Sequence, residues 1–249
     1  MAHSNDPPKR LGLVIPSVNT MTEPQFNRFA PPGVSIHVAR VKISHANGEL
    51  IPLPILTPDV LRAAEMLADA SCDLIVFHCT ASSMEAGVAG EKLATSAIEQ
   101  ATHRPATTTA SAVSAAFAVL GARKIVLVSP YPKATNEHEI RFLSESGVEV
   151  LHDRALTLPP PEWVTRSGHF WVEQGLAEDD PRADAIFLSC TNIRAIEAVE
   201  SLEKAAGKPV VTSNQATLWY SLRRMGYSGT VPGLGCLAER GIQAALAAV

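Results

Sequence analysis

The chain has 249 residues, of which 46% are hydrophobic and 18% charged, with a formal net charge of −4 and no run of Lys or Arg. That length can bury a large core in one domain or two small lobes, and the charge leaves no basic footprint for nucleic acid. No apolar stretch reaches the roughly 18 residues of a membrane span, and the amino terminus carries no apolar segment of a signal peptide, so neither a membrane nor export is expected.

Strands are predicted near 11–16, 34–41, 73–78 and 105–107, and again near 124–129, 148–154, 184–189 and 209–212. Short runs rich in Val, Ile, Leu and Phe read as buried parallel strands. Between them, Thr57-Pro58-Asp59 carries a helix-start signal, a capping side chain followed by proline in the first turn. Thr108 or Thr109 opens an Ala-rich helix that stops at Gly121. The segment Leu156–Trp163 contains three successive prolines and reads as a loop, as does the proline-rich stretch 51–58; both are candidate rims of a cleft. Trp163 and Trp171 follow as either a lid over that cleft or the aromatic stripe of a packed helix.

Asp73-Leu-Ile-Val-Phe-His-Cys79-Thr80 recurs as Asp184-Ala-Ile-Phe-Leu-Ser-Cys190-Thr191. Likewise Arg10-Leu-Gly-Leu-Val-Ile-Pro16-Ser17 recurs as Lys124-Ile-Val-Leu-Val-Ser129-Pro130-Tyr131, and Arg104-Pro105 as Lys208-Pro209. The spacing is about 110 residues, too long for a solenoid unit and the size of a small domain. The chain therefore reads as an internal duplication. The expected fold is α/β, with two pseudo-symmetric lobes, each a four-stranded parallel sheet flanked by helices. The lobes are expected at 1–108 with 214–249, and at 109–213. The final segment, Val231–Val249, should cross back onto the first lobe.

Both repeated cysteines fall where a strand ends and a helix begins, which is where open α/β sheets keep their chemistry. A free thiol titrates at roughly 8.5, and a helix N-terminus lowers that value by stabilising the anion. Residues 81–86 and 192–197 are predicted to supply such helices. A thiolate facing a thiol across an inter-lobe cleft supports either proton transfer on both faces of a substrate or nucleophilic attack with acid–base help. Neither needs a cofactor, and no Cys-x-x-Cys or His-Glu-x-x-His pattern suggests a metal. Cys72 and Cys236 have no counterpart in the other half and are read as packing residues. His78 should point away from Cys79, because successive strand side chains face opposite sides. Four cysteines without close pairing fit a reducing, cytoplasmic compartment.

Twin strand-end cysteines in a duplicated α/β chain resemble the cofactor-independent aspartate/glutamate racemase superfamily. The opening Pro16-Ser17-Val18-Asn19-Thr20-Met21-Thr22-Glu23, with Ser129-Pro130-Tyr131 and Gly147-Val148-Glu149-Val150, is similar to its maleate isomerase and arylmalonate decarboxylase branch. The resemblance implies that Cys79 adds to the double bond of a cis-enedioate while Cys190 manages the proton, and that Asn19 and Tyr131 hold a carboxylate. Ser17, Thr80, Thr191 and Asn192 complete the candidate substrate contacts, with Asn19 and Asn192 open to the plainer reading of helix caps. The expected activity is maleate-type cis–trans isomerisation. Alternatives are a racemase or epimerase of an amino or hydroxy acid, including ectoine-utilisation relatives, then an arylmalonate-type decarboxylase, then a two-lobed ligand-binding protein. The expected partner is a small carboxylate or dicarboxylate, with the chain assembled as a homo-oligomer. One departure stands out. Maleate isomerases carry an asparagine just after the Ala-Leu-x-x-Pro segment, where this chain has Pro160, Pro161 and Glu162.

Overall fold

The computed structural model describes residues 8–43, 45–46, 49–50 and 54–240. The amino-terminal reading, part of the 51–58 loop and the last residues of Val231–Val249 lie outside them. In chain order the elements are β1 (Lys9–Pro16), α1 (Thr22–Phe29), β2 (Val34–Val41), the short pair β3 (His45–Ala46) and β4 (Glu49–Leu50), α2 (Pro58–Asp69), β5 (Leu74–Phe77), α3 (Thr80–Glu85), α4 (Gly87–Thr102), β6 (Ala106–Thr108) and α5 (Thr109–Leu120). The second half continues with β7 (Lys124–Ser129), α6 (Lys133–Glu145), β8 (Glu149–Ala155), α7 (Pro160–Trp163), α8 (Gly168–Ala177), β9 (Ala185–Leu188), α9 (Val199–Ala206), β10 (Val210–Thr212) and α10 (Ser213–Arg224).

Two four-stranded sheets result, in the orders β2-β1-β5-β6 and β8-β7-β9-β10. Taken half by half these orders are identical, and every pairing in them is parallel. The duplication seen in the sequence is thus a duplication of topology. All eight predicted strands form. The central ones, Leu74–Phe77 and Ala185–Leu188, are buried at every position, because helices cover both faces of a parallel sheet. Each of their large apolar side chains contributes about 2 kcal/mol by leaving water.

The helix signals act locally as expected. Thr57 accepts the Val60 N–H, and Thr108 accepts the Ser111 N–H. Gly121 ends α5 at φ +68°, a left-handed turn that costs glycine nothing. The loop expected at 156–163 is corrected in part: Pro160–Trp163 is one helical turn. Proline is tolerated at the first helical positions, where its missing N–H would have no partner anyway.

The chain leaves β1 for β2 on one side of the sheet and later returns to β5 on the other. The carboxyl ends of β1 and β5 therefore mark a switch point, where side chains of diverging loops leave a crevice. The ends of β7 and β9 mark its counterpart. Helices α5 and α10 couple the halves. α5 follows the first sheet but packs on the second, with Phe117 edge-on to Phe187 at 5.7 Å. α10 follows the second sheet and sends Leu218 and Leu222 under Leu11, Leu13 and Val76 of the first, while its Trp219 and Tyr220 join the α5 cluster. The segment carrying Val231, Leu234 and Ala238 also packs against the first sheet.

Candidate active site

Both switch points open into one cavity of about 270 Å³, and Cys79 and Cys190 both line it. Cys79 lies two residues beyond β5 and caps the start of α3, where its thiol donates to Ser82 Oγ at 3.2 Å. Burial pushes its pKa up. The Ser82 hydroxyl and N–H pull part of the way back, and the charges of Glu139 and Glu85 oppose them.

Cys190 differs in its setting. No α-helix follows it; the chain turns through Thr191–Arg194 before a 3₁₀ turn at Ala195–Ala198 and α9. The predicted second helix N-terminus is therefore absent at this thiol. Asn192, expected inside that helix, instead accepts the N–H groups of Thr20 and Met21 across the molecule, which fixes the turn. The backbone of Cys190 has φ +148°, a region nearly confined to glycine that costs a cysteine about 1–3 kcal/mol. It is held there by its own N–H on Ser213 Oγ (3.1 Å) and by the Asn192 N–H on its sulfur (3.2 Å). Burial, with smaller contributions from the charges of Cys79 and Glu139, pushes the thiol up to about 12 against the lowering effects of the Tyr131 hydroxyl and the Asn192 N–H. Burial thus raises both sulfurs, outweighing the Ser82 donors at Cys79, contrary to the lowered values expected from the sequence.

Tyr131 lines the cavity with its ring edge-on to Trp163 at 5.4 Å. Its hydroxyl stays neutral, since burial and the nearby charges of Cys190, Glu139 and Cys79 hold its pKa well above the ordinary value, and it in turn favours the Cys190 thiolate. Behind the sulfurs lies Glu139 of α6. Both its oxygens are buried and unpartnered among the described residues, and burial raises its pKa to about 8; the Ser189 hydroxyl beside it lowers the value without completing a hydrogen bond.

Asn19, Thr191 and Asn192 line the cavity, but the two asparagines are largely committed to the protein. Asn19 Oδ1 accepts the N–H groups of Met21 and Thr22, capping α1, and its Nδ2 donates to Thr191 O (3.3 Å) and Oγ1 (3.1 Å). Asn192 adds a contact from its Nδ2 to Val18 O. Together they clamp the first half to the second. Two of the expected contacts lie away from the cavity. Ser17 is exposed and accepts the Ile43 N–H, and Thr80 is fully buried with its hydroxyl on Ser213 Oγ. His78 points away from Cys79, bonded to Thr109 and Asn214; burial lowers its pKa to about 3, so it is neutral.

The sequence did not single out Ser82 or Thr157, although both line the cavity. Ser82 had a legible signal, three residues beyond Cys79 at capping distance. Thr157 lies in the loop read as a cleft rim, but its positive φ cannot be read from composition. Trp163 forms part of the cavity wall, whereas Trp171 is core. Cys72 packs beneath Gly12, where a Cβ would lie 3.0 Å from its sulfur, and Cys236 donates to Glu203. Among the described residues no group of three or more His, Cys, Asp or Glu could hold a metal, and no helix is long and apolar enough to cross a membrane.

Comparison with known proteins agrees with this architecture. A maleate isomerase of Pseudomonas putida is 29% identical over 242 residues, covering 92% of this chain and 96% of its own. The crystal structure of a Pseudomonas putida maleate isomerase with maleate superposes with a TM-score of 0.84 at 22% identity, covering 93% of this chain and 97% of that one. A Nocardia farcinica maleate cis-trans isomerase mutant with a covalently bound succinylcysteine intermediate superposes with a TM-score of 0.79 at 22% identity, over 93% and 98%. These superpositions show the shared fold. The family model for arylmalonate decarboxylase matches residues 55–238, from the loop before α2 to the end of the segment that returns to the first sheet, and so takes in both cysteines. On that match the chain belongs to the arylmalonate decarboxylase family.

Proposed function

We propose that this chain is a cofactor-independent, two-cysteine isomerase of small carboxylates, with maleate-to-fumarate conversion as its reaction and with lobes dividing at 1–108 plus 214–249 and at 109–213. The observation that carries the reading is the meeting of Cys79 and Cys190, from equivalent strand ends of the two halves, in one cavity. The relatives are named as maleate isomerases, and one is described with a succinylcysteine intermediate.

The roles follow from the surroundings. The resemblance to maleate isomerases gives Cys79 the nucleophile's part, and because charge on one sulfur raises the pKa of the other, Cys190 stays a thiol while Cys79 is ionised. The Cys79 thiolate adds to C2 of the cis-enedioate, forming a C–S bond as the π pair moves to C3, where the adjacent carboxylate spreads the charge. Cys190, whose thiolate the Tyr131 hydroxyl favours, delivers its proton to C3. Rotation about the new C2–C3 single bond follows. Removal of a C3 proton by the Cys190 thiolate and expulsion of the Cys79 thiolate then give the trans acid with both thiols restored to their starting states. The Ser82 hydroxyl donates to the Cys79 thiolate, and the hydroxyl proton of Thr191, which has no acceptor among the described residues, is available to one substrate carboxylate.

Incubation with maleate, following fumarate, tests the reading. Chiral 2-substituted acids in deuterated water are the control: deuterium at the α-carbon with loss of optical activity, and no fumarate from maleate, would replace isomerisation by racemisation.

A further inference from the structure

The wall of the cavity formed by residues 157–163 is poor in donors. Pro159 and Pro160 have no N–H, the Leu158 N–H is bonded to Pro130 O (2.9 Å), and the Trp163 indole N–H to Leu158 O (2.8 Å). Glu162 is an acid paired with Arg166. Thr157 is the exception. It lines the cavity, and its hydroxyl has no partner among the described residues.

Its backbone is also strained, at φ +50°. A β-branched residue in the left-handed region is an outlier, and glycine or asparagine would occupy it at lower cost. The conformation is imposed by three successive bonds to the end of β7: Leu156 N–H to Ser129 O (3.0 Å), Thr157 N–H to Tyr131 O (3.0 Å) and Leu158 N–H to Pro130 O. The loop could keep these bonds with glycine at 157, so nothing in the fold calls for a threonine there. What threonine adds is a hydroxyl at the cavity.

We infer that Thr157 is a specificity-determining residue whose hydroxyl binds the second carboxylate of a dicarboxylate substrate. It takes the part that Pro160, Pro161 and Glu162 cannot play. Thr157 is exposed, so the carboxylate it holds sits near the mouth, where water completes the shell of an anion that one donor could not satisfy alone. The inference rests on the carboxylate reading of the cavity, but its test does not need turnover.

The experiment measures protection of the cavity thiols against iodoacetamide at pH 9 by succinate and by butyrate, which differ by one carboxylate. In the unaltered protein succinate should protect at concentrations at least tenfold below butyrate. Thr157→Val should lose that preference, with succinate weakened about tenfold and butyrate unchanged, and Thr157→Ser should restore it. Thr157→Gly, which removes hydroxyl and strain together, should lose the preference while gaining thermal stability, and it serves if the valine variant does not fold. No preference for succinate in the unaltered protein, unchanged preference in the variants, or equal weakening of both acids would overturn the assignment. Failure to convert maleate would instead count against the isomerase reading and leave this comparison standing.

Discussion

Replacing Asn19 with Ala separates two roles that the same side chain could play. Asn19 is 1% exposed and makes four hydrogen bonds, two that cap α1 and two to Thr191 in the other half. Met21 N–H keeps a partner in Asn192 Oδ1, so only the Thr22 N–H is orphaned, and loss of the cap costs about 1 kcal/mol. The two amide bonds to Thr191 contribute about 1 kcal/mol each, giving roughly 3 kcal/mol in all. At 2–4 °C per kcal/mol for a chain of this size, the midpoint of thermal unfolding should fall by roughly 6–12 °C. Urea unfolding and maleate kinetics on the same preparation give the answer. The clamp reading expects lost stability in the absence of any ligand, accompanied by loss of kcat as the Thr191 turn beside Cys190 loosens. A loss below about 0.5 kcal/mol together with a tenfold rise in KM at unchanged kcat would refute it and make Asn19 a substrate ligand, as the resemblance implied.

Cys79→Ala and Cys190→Ala should each abolish isomerisation with the circular dichroism spectrum unchanged. Cys190→Gly should be equally inactive but more stable than Cys190→Ala by about 1 kcal/mol in urea, because only glycine accepts φ +148° without strain. Tyr131→Phe removes the hydroxyl that favours the Cys190 thiolate and should lower kcat about 100-fold with a native melting profile; full activity would show that the hydroxyl is idle. Glu139 is raised from 4.5 to about 8 in the folded chain, so the native state holds a proton that the unfolded state releases between those values. Its contribution is fully present below pH 4.5 and is lost as pH rises through 8. Between pH 5 and 7 this removes on the order of 3 kcal/mol of stability. Glu139→Gln should abolish that slope in urea titrations, and an unchanged slope would place its source elsewhere.

The sheets were legible because strands buried on both faces are continuous apolar runs, as in Leu74–Phe77 and Ala185–Leu188, and because the duplication supplied each twice. The cysteine pair was legible for the same reason. The ends of elements were less so. Residues 192–197 have the composition of a helix, yet bonds from Asn192 to Thr20 and Met21, more than 170 positions away, override it. Pro160 and Pro161 suggested a loop where they begin a turn of helix. Asparagine at a strand end can cap, clamp or bind, and only the census of its four bonds distinguishes these. The fall of thiol pKa expected from a helix terminus does not occur: at Cys79 burial outweighs the Ser82 hydroxyl and N–H, and at Cys190 no helix follows.

The exchange of α5 and α10 between the sheets bears on how such a chain can be taken apart. A fragment ending at Leu120 would carry a closing helix shaped for a partner it lacks, and its own sheet would leave Leu11, Leu13 and Val76 facing water where Leu218 and Leu222 belong. The complementary piece would be stripped in the mirror fashion. Neither portion is therefore a self-sufficient globule. Mixed together, they should reassemble into the severed whole, as two copies of a single ancestral unit would have done by trading their terminal helices.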